Sequence, residues 1–259
     1  MRRLVIPAAA LLLALGLSRE ARAEHLVVAL STHQVQINSS FVGTDLVLFG
    51  AIERDDKTVA RSGNYDLVVR VTGPPQTEVT RRKSRVVGIW VNAESRVFLE
   101  APGYLAMLSN RPLNEIAGPE VLRRYHIGLE NVTLPQLISG DVGDVPLNDP
   151  FRMAFLRLNR EQRLYREVPD AVTFFASHLF RAAIRIPANV PVGNCVVDVF
   201  LFSEGVMLAT SPSAIEIQKV GFEQFVASSA REHGLLYGLA TASLALLTGW
   251  IASVVFRRD

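Results

Sequence analysis

Residues 180–202 read FRAAIRIPANVPVGNCVVDVFLF. Phe180, Ala182, Ile184 and Ile186 alternate with Arg181, Ala183 and Arg185, and a period of two is the signature of a strand with one buried face. Pro191-Val192-Gly193-Asn194 then turns the chain into a second strand that starts at Cys195 and ends at Phe202. Ser203-Glu204-Gly205 closes a hairpin onto 206–210, and a further strand follows at 214–220. The last third of the chain therefore builds sheet.

The first third does the same. Strand-like runs occupy 26–30, 34–37, 46–52, 65–71, 79–91 and 96–99, punctuated by Ser39-Ser40, Asp55-Asp56, Ser62-Gly63-Asn64 and Gly73-Pro74-Pro75. Between about 102 and 168 the pattern changes. A short helix at 113–125 should break near Gly118-Pro119. A second at 151–166 stacks Phe151, Phe155 and Leu158 at i, i+4 and i+7, with Asp149-Pro150 as its start. The chain shows no repeat period and no low-complexity linker. The expectation is a mainly β fold: one immunoglobulin-like β-sandwich over residues 24–220, with a helical insertion at about 103–168. The 180–202 unit resembles a hairpin common in such sandwiches. Two separate sandwiches are the alternative.

The two ends locate the protein. Met1-Arg2-Arg3, an uncharged stretch at 4–17 and Ala21-Arg22-Ala23 have the form of a secretory signal peptide at 1–23. Residues 234–256 carry no charge and precede Arg257-Arg258-Asp259. A helix of that length is about 34 Å long, enough to cross a hydrocarbon core of about 30 Å. The expected arrangement is single-pass in a bacterial inner membrane. Residues 24–220 lie in the periplasm, 221–233 form a juxtamembrane segment, and 257–259 are a cytoplasmic tail. Without residues 1–23, 23 basic side chains face 24 acidic ones, a net charge of −1. That balance gives no global basic field, so nucleic acid is not an expected partner. Cys195 is the only cysteine. It permits no disulfide within the chain, and it reads as a small buried strand residue.

No motif points to catalysis, a cofactor or a metal. His25, His33, His126, His178 and His233 form no H-E-x-x-H pair, and no G-x-S-x-G, P-loop or dinucleotide fingerprint occurs. His178, Cys195 and Met207 are blue-copper residue types without the tight Cys–His–Met spacing. Asp55-Asp56 and Asp141/Asp144 suit turns better than calcium. The expectation is no enzyme, no cofactor and no metal.

Local charge is concentrated at VTRRKSRVVGIWV, residues 79–91. Taken as one extended strand, it puts Arg81, Lys83 and Arg85 on one face and Arg82 with Gly88 and Trp90 on the other. It reads as a guarded edge or as a partner- or anion-binding face, since arginine pairs bidentately with oxyanions. Trp90 is expected in the core. In the apolar C-terminal stretch, Gly234, Gly238 and Ala242, then Ala245 and Gly249, repeat four apart, a spacing that lets helices approach closely and would suit a homodimer.

SSFVGTDLVLFGAIE (39–53), YDLVVRVTGP (65–74), RRKSRVVGIWVN (81–92), LSNRPL (108–113) and RRYHIGLEN (123–131) together resemble the alphaproteobacterial putative transmembrane protein family. The resemblance covers the exported region and the span. It implies a single-span envelope protein with no established activity and no catalytic residues to transfer. It also hints at a sulfite-exporter-type permease as partner. Two functions follow as expectations: an interaction protein that docks a permease or other envelope component, or a module that captures a small oxyanion at the arginine stripe.

Overall fold

The computed structural model describes residues 24–53, 64–138, 141–144 and 146–256. The expected signal peptide at 1–23, the turn residues Asp55, Asp56, Ser62 and Gly63, and the tail at 257–259 lie outside the described residues. The chain is mainly β. Its strands begin with β1 (His25–Leu30), β2 (Gln34–Ile37), β3 (Gly43–Glu53) and β4 (Tyr65–Thr72). A long pair follows, β5 (Pro75–Val86) and β6 (Ile89–Pro102), and then β7 (Leu105–Ser109), β8 (Pro135–Ile138), β9 (Asp141–Asp144) and β10 (Tyr165–Val168). The last four are β11 (Val172–Ala176), β12 (Leu179–Pro187), β13 (Gly193–Ser203) and β14 (Val206–Lys219). Between them lie α1 (Leu113–Ile116), α2 (Pro119–Arg124) and α3 (Pro150–Glu161), with α4 (Phe222–Glu232) and α5 (Gly234–Val255) at the end.

Three sheets result, in the orders β1-β3-β12-β11, β10-β7-β4-β13-β14-β2 and β5-β6-β8-β9. The alternation at 180–186 is realised in β12, where Phe180, Ala182, Ile184 and Ile186 are buried and the intervening residues are exposed. They meet Leu46 and Leu48 of β3 and share one core with Leu67, Val69 and Val71 of β4 and Cys195, Val197, Val199 and Leu201 of β13. The apolar faces of the first two sheets thus cover one another. The opposite face of the second sheet is covered too. Val68 of β4 with Phe200 and Phe202 of β13 packs against Leu113, Ile116, Leu122 and Ile127. Double coverage explains why 65–71 and 195–202 are apolar on both faces apart from Asp66, Arg70 and Asp198, each of which is ion-paired.

Residues 103–168 carry α1, α2 and α3, and also β7, β8, β9 and β10. The break at Gly118-Pro119 falls where the sequence puts it, with Pro119 opening α2. Asp149 caps α3 by accepting from the Arg152 amide at 2.9 Å. That helix stops at Glu161 rather than 166. Arg163 takes φ 61°, a left-handed conformation usually signalled by glycine, and Tyr165 then enters a strand parallel to β7. The expected strands 206–210 and 214–220 fuse into β14 across Pro212. Proline is tolerated there because β2 pairs with β14 only from Glu216 onward, so the missing amide faces an open edge.

Beneath the third sheet, α3 is fixed by a buried cation. Arg152 is 1% exposed; its Nη1 donates to Asp144 Oδ1 at 3.0 Å and its Nη2 to the carbonyls of Glu130 and Val132 at 2.9 and 2.6 Å. Phe98, Phe151, Phe155 and Tyr165 pack around this helix. At the C-terminus, α5 is 22 residues long and apolar, with no buried residue, the one helix among the described residues long and apolar enough to cross a membrane.

Candidate docking ribbon and arginine concavity

The basic block is not one extended strand. The chain reverses at Val87-Gly88, with φ 48° and 84°, so residues 79–91 form both arms of a hairpin. Positive φ at both central residues marks the primed turn that matches strand twist, for which Asn-Gly is the usual signal. Valine in the first place hid it. Pairing puts Val86 opposite Ile89, Arg85 opposite Trp90, Ser84 opposite Val91, Lys83 opposite Asn92 and Arg82 opposite Glu94, with a bulge between Arg82 and Lys83.

This register corrects two expectations. Trp90 is not a core residue: it is 67% exposed near the hairpin tip. Nor does it share a face with Arg82, because directly paired residues lie on the same side and Arg85 is its partner. One face of the ribbon carries Arg81, Lys83, Arg85 and Trp90. The other carries Arg82, Ser84 and Val86, with Ile89 and Val91 across from them. The expected alignment of Arg81, Lys83 and Arg85 on one face is therefore present.

The cations are not equivalent. Arg82 is ion-paired with Glu94, and its guanidinium lies 5.9 Å from the Phe151 ring centroid, beside that of Arg96 at 5.4 Å. It therefore belongs to the seam between ribbon and α3. Arg85 Nε donates to the Gly88 carbonyl at 3.3 Å, tying off the turn. Arg81 and Lys83 have no acidic partner among the described residues. A shallow concavity of about 500 Å³ opens here, lined by Arg81, Arg82 and Lys83 with Phe151, Met153 and Arg157 of α3.

Beyond Arg96 the ribbon is only two strands thick, because β8 pairs with β6 solely at Val97 and Phe98. Its tip is apolar. Val86, Val87, Ile89, Trp90 and Val91 are 51%, 96%, 69%, 67% and 41% exposed. The four aliphatic residues were missed as site residues by the sequence reading. Gly88 inside the apolar run was the available signal.

A second basic feature lies elsewhere. Arg160, Arg163, Arg166 and Arg185 line a concavity of about 480 Å³ with Gln162 and Asn189. Among the described residues, the one ion pair made by these four arginines is Arg185 with Asp45 at 3.9 Å. Sequence reasoning missed this group because α3, β10 and β12 supply it from separate parts of the chain.

Among the described residues, no three His, Cys, Asp or Glu side chains converge as a metal site. Cys195 is buried in the shared core, where loss of solvent pushes its thiol up to about 11. Its strand partner is Ile215, whereas Met207 pairs with Phe202. Ile215 and Met207 lie eight residue steps apart on β14, about 27 Å of strand.

On α5, Gly234, Gly238, Ala242, Ala245 and Gly249 fall within roughly 100° of the helix circumference. A Cβ built at Gly234, Gly238 or Gly249 meets nothing within 4 Å, so this face is open. Thr241 and Thr248 return their hydroxyls to the Tyr237 and Leu244 carbonyls at 3.0 and 2.9 Å, which satisfies both donors within the apolar helix.

No curated protein matches the chain. The family described as putative transmembrane protein, Alph_Pro_TM, matches residues 25–258, the described β region and α5 together. With the apolar, unpartnered α5 at its end, the chain belongs to that putative transmembrane protein family.

Proposed function

We propose that the protein is a membrane-anchored interaction module rather than an enzyme. In this reading residues 24–220 fold in the periplasm, α5 crosses the inner membrane once, and the β5–β6 ribbon is the docking element. The observation that carries it is the ribbon tip, where five apolar side chains stand exposed beyond the last pairing with β8, and at its base Arg81 and Lys83 have no acidic partner among the described residues. Exposed apolar surface rimmed by charge marks an interaction site. A membrane partner such as a permease, or a second copy of the chain, would meet the open small-residue face of α5.

Because Cys195 is buried, a cysteine placed on the surface is the only reactive thiol of the folded chain. In intact cells, a maleimide that cannot cross the inner membrane should label Val42→Cys, exposed just before β3, and leave the parent unlabelled. A benzophenone maleimide attached at Val87→Cys in detergent should give, after reconstitution, a photo-adduct with protein or lipid that Arg81→Glu with Arg85→Glu weakens. Labelling only after the inner membrane is opened would reject the periplasmic placement. Absence of any adduct would reject the ribbon as docking element.

The arginine concavity favours a second reading, capture of a small oxyanion away from the ribbon. Arg163 and Arg166 have no acidic partner among the described residues, and guanidinium forks suit sulfur or phosphorus oxyanions. Sulfate titrated into the full chain in detergent should bind. Arg163→Ala with Arg166→Ala should lower the affinity at least about tenfold, as expected for lost charge-assisted bonds. Equal affinities would remove this reading.

A further inference from the structure

We infer that the tip of the β5–β6 ribbon inserts into the anionic lipid interface of the membrane that carries α5; this rests on the ribbon being the docking element. Three features of the tip select lipid over a protein groove. First, exposed apolar side chains stand on both faces of the tip and at its apex, with Arg85 beside Trp90 the one charge among them. Val86, Ile89 and Val91 occupy one face, Trp90 the other, and Val87 the apex. A protein groove engages one face of a strand pair, whereas a bilayer takes up every side.

Second, the dimensions and composition are those of an interfacial anchor. The pairs Ser84/Val91, Arg85/Trp90 and Val86/Ile89 make a tip section about 10 Å long at about 3.4 Å per residue, apolar except at Ser84 and Arg85. Amphipathic elements bury about 5–10 Å into the boundary between headgroups and chains. Tryptophan concentrates at that depth. Behind it stand Lys83 and Arg81, and no carboxylate occurs between Glu78 and Glu94. Such a collar complements anionic headgroups.

Third, the apex residue is unfavourable for the hairpin itself. Val87 is β-branched, holds φ 48° and is 96% exposed. A branched side chain is strained in the left-handed region, and asparagine or aspartate would serve the turn better. No contact within the fold compensates valine there; lipid would. A domain tethered by one span is held near its own bilayer at high effective concentration, so that bilayer is the occupant.

Trp90 and Trp250 are the only tryptophans, so Trp250→Phe leaves Trp90 as a single reporter in the full chain. The variant is reconstituted in nanodiscs of phosphatidylcholine, with or without roughly one-third phosphatidylglycerol to supply anionic headgroups. With phosphatidylglycerol, Trp90 emission should shift to the blue and lose roughly half its intensity to chain-brominated lipid, the depth expected of an interfacial ring. Quenching should fall severalfold in pure phosphatidylcholine and with Arg81→Glu plus Arg85→Glu. Val87→Asn, which suits the turn and cannot harm folding through backbone strain, should weaken quenching likewise. Water-like emission unaffected by brominated lipid overturns the inference. If a protein photo-adduct from Val87→Cys accompanies that result, the docking reading stands and only the lipid assignment falls. If neither quenching nor adduct appears, both fall.

Discussion

Replacing Arg152 by leucine should destabilise the β region by about 3–5 kcal/mol, seen as a lower urea midpoint of the full chain in detergent with an unchanged slope. The loss does not come mainly from Asp144, whose side chain is 47% exposed and can regain water. It comes from the carbonyls of Val132, buried, and Glu130, partly buried, which have no other donor among the described residues, and from packing around a side chain that is 1% exposed. An unsatisfied buried acceptor costs about 1–3 kcal/mol. One offset exists: Arg152 Nε itself has no acceptor among the described residues. Arg152→Met keeps most of the stem and should recover roughly half the loss if packing contributes as much as the hydrogen bonds. A midpoint for Arg152→Leu equal to the parent would show that the fork does not hold α3. The variant also bears on docking, because Phe151, beneath Arg82 and Arg96, is the next residue of the same helix.

The second large effect is expected where a ring replaces a missing side chain. Gly50 of β3 pairs directly with Phe180 of β12, and a Cβ on Gly50 would sit 2.2 Å from the Phe180 ring. The glycine is therefore a seat for the phenylalanine, which is 1% exposed. Phe180→Ala should cost about 3–5 kcal/mol by opening a cavity. Gly50→Val should cost about 1–3 kcal/mol by overpacking. The two changes share one space, so the double variant should be less destabilised than the sum by about 1 kcal/mol or more. Strict additivity in urea unfolding would mean that the strands relax apart and that the ring does not depend on the glycine.

Strand identity was largely legible from the sequence, for reasons visible in particular residues. Alternation at 180–186 survived because one face of β12 looks into the core and the other into solvent. The largely apolar runs at 65–71 and 195–202 also read as strands, although their double coverage by a second sheet and by α1 and α2 could not be read. Positions reversed by unusual backbone were not legible. Val87 and Arg163 both take positive φ without being glycine, so the hairpin and the end of α3 carried no standard mark. The third sheet depended on that unseen hairpin. The ribbon's cations were found from composition alone, yet their division into a seam residue, a turn clasp and two free charges needed the register. The arginine concavity is a product of tertiary structure, and no local pattern announces it.

The pairing of β2 with β14 bears on how the chain reaches this state. Gln34 aligns with Glu216, a separation of 182 residues, and β3 likewise waits for β12. Early strands therefore emerge with open edges and stay so until nearly the whole β region has been synthesised, a topology that folds slowly and is prone to wrong pairing. Only 14 residues separate Lys219, the end of β14, from Gly234, the start of α5. Sheet closure and membrane integration must then fall almost together. The edge strands would need protection for all the time before then.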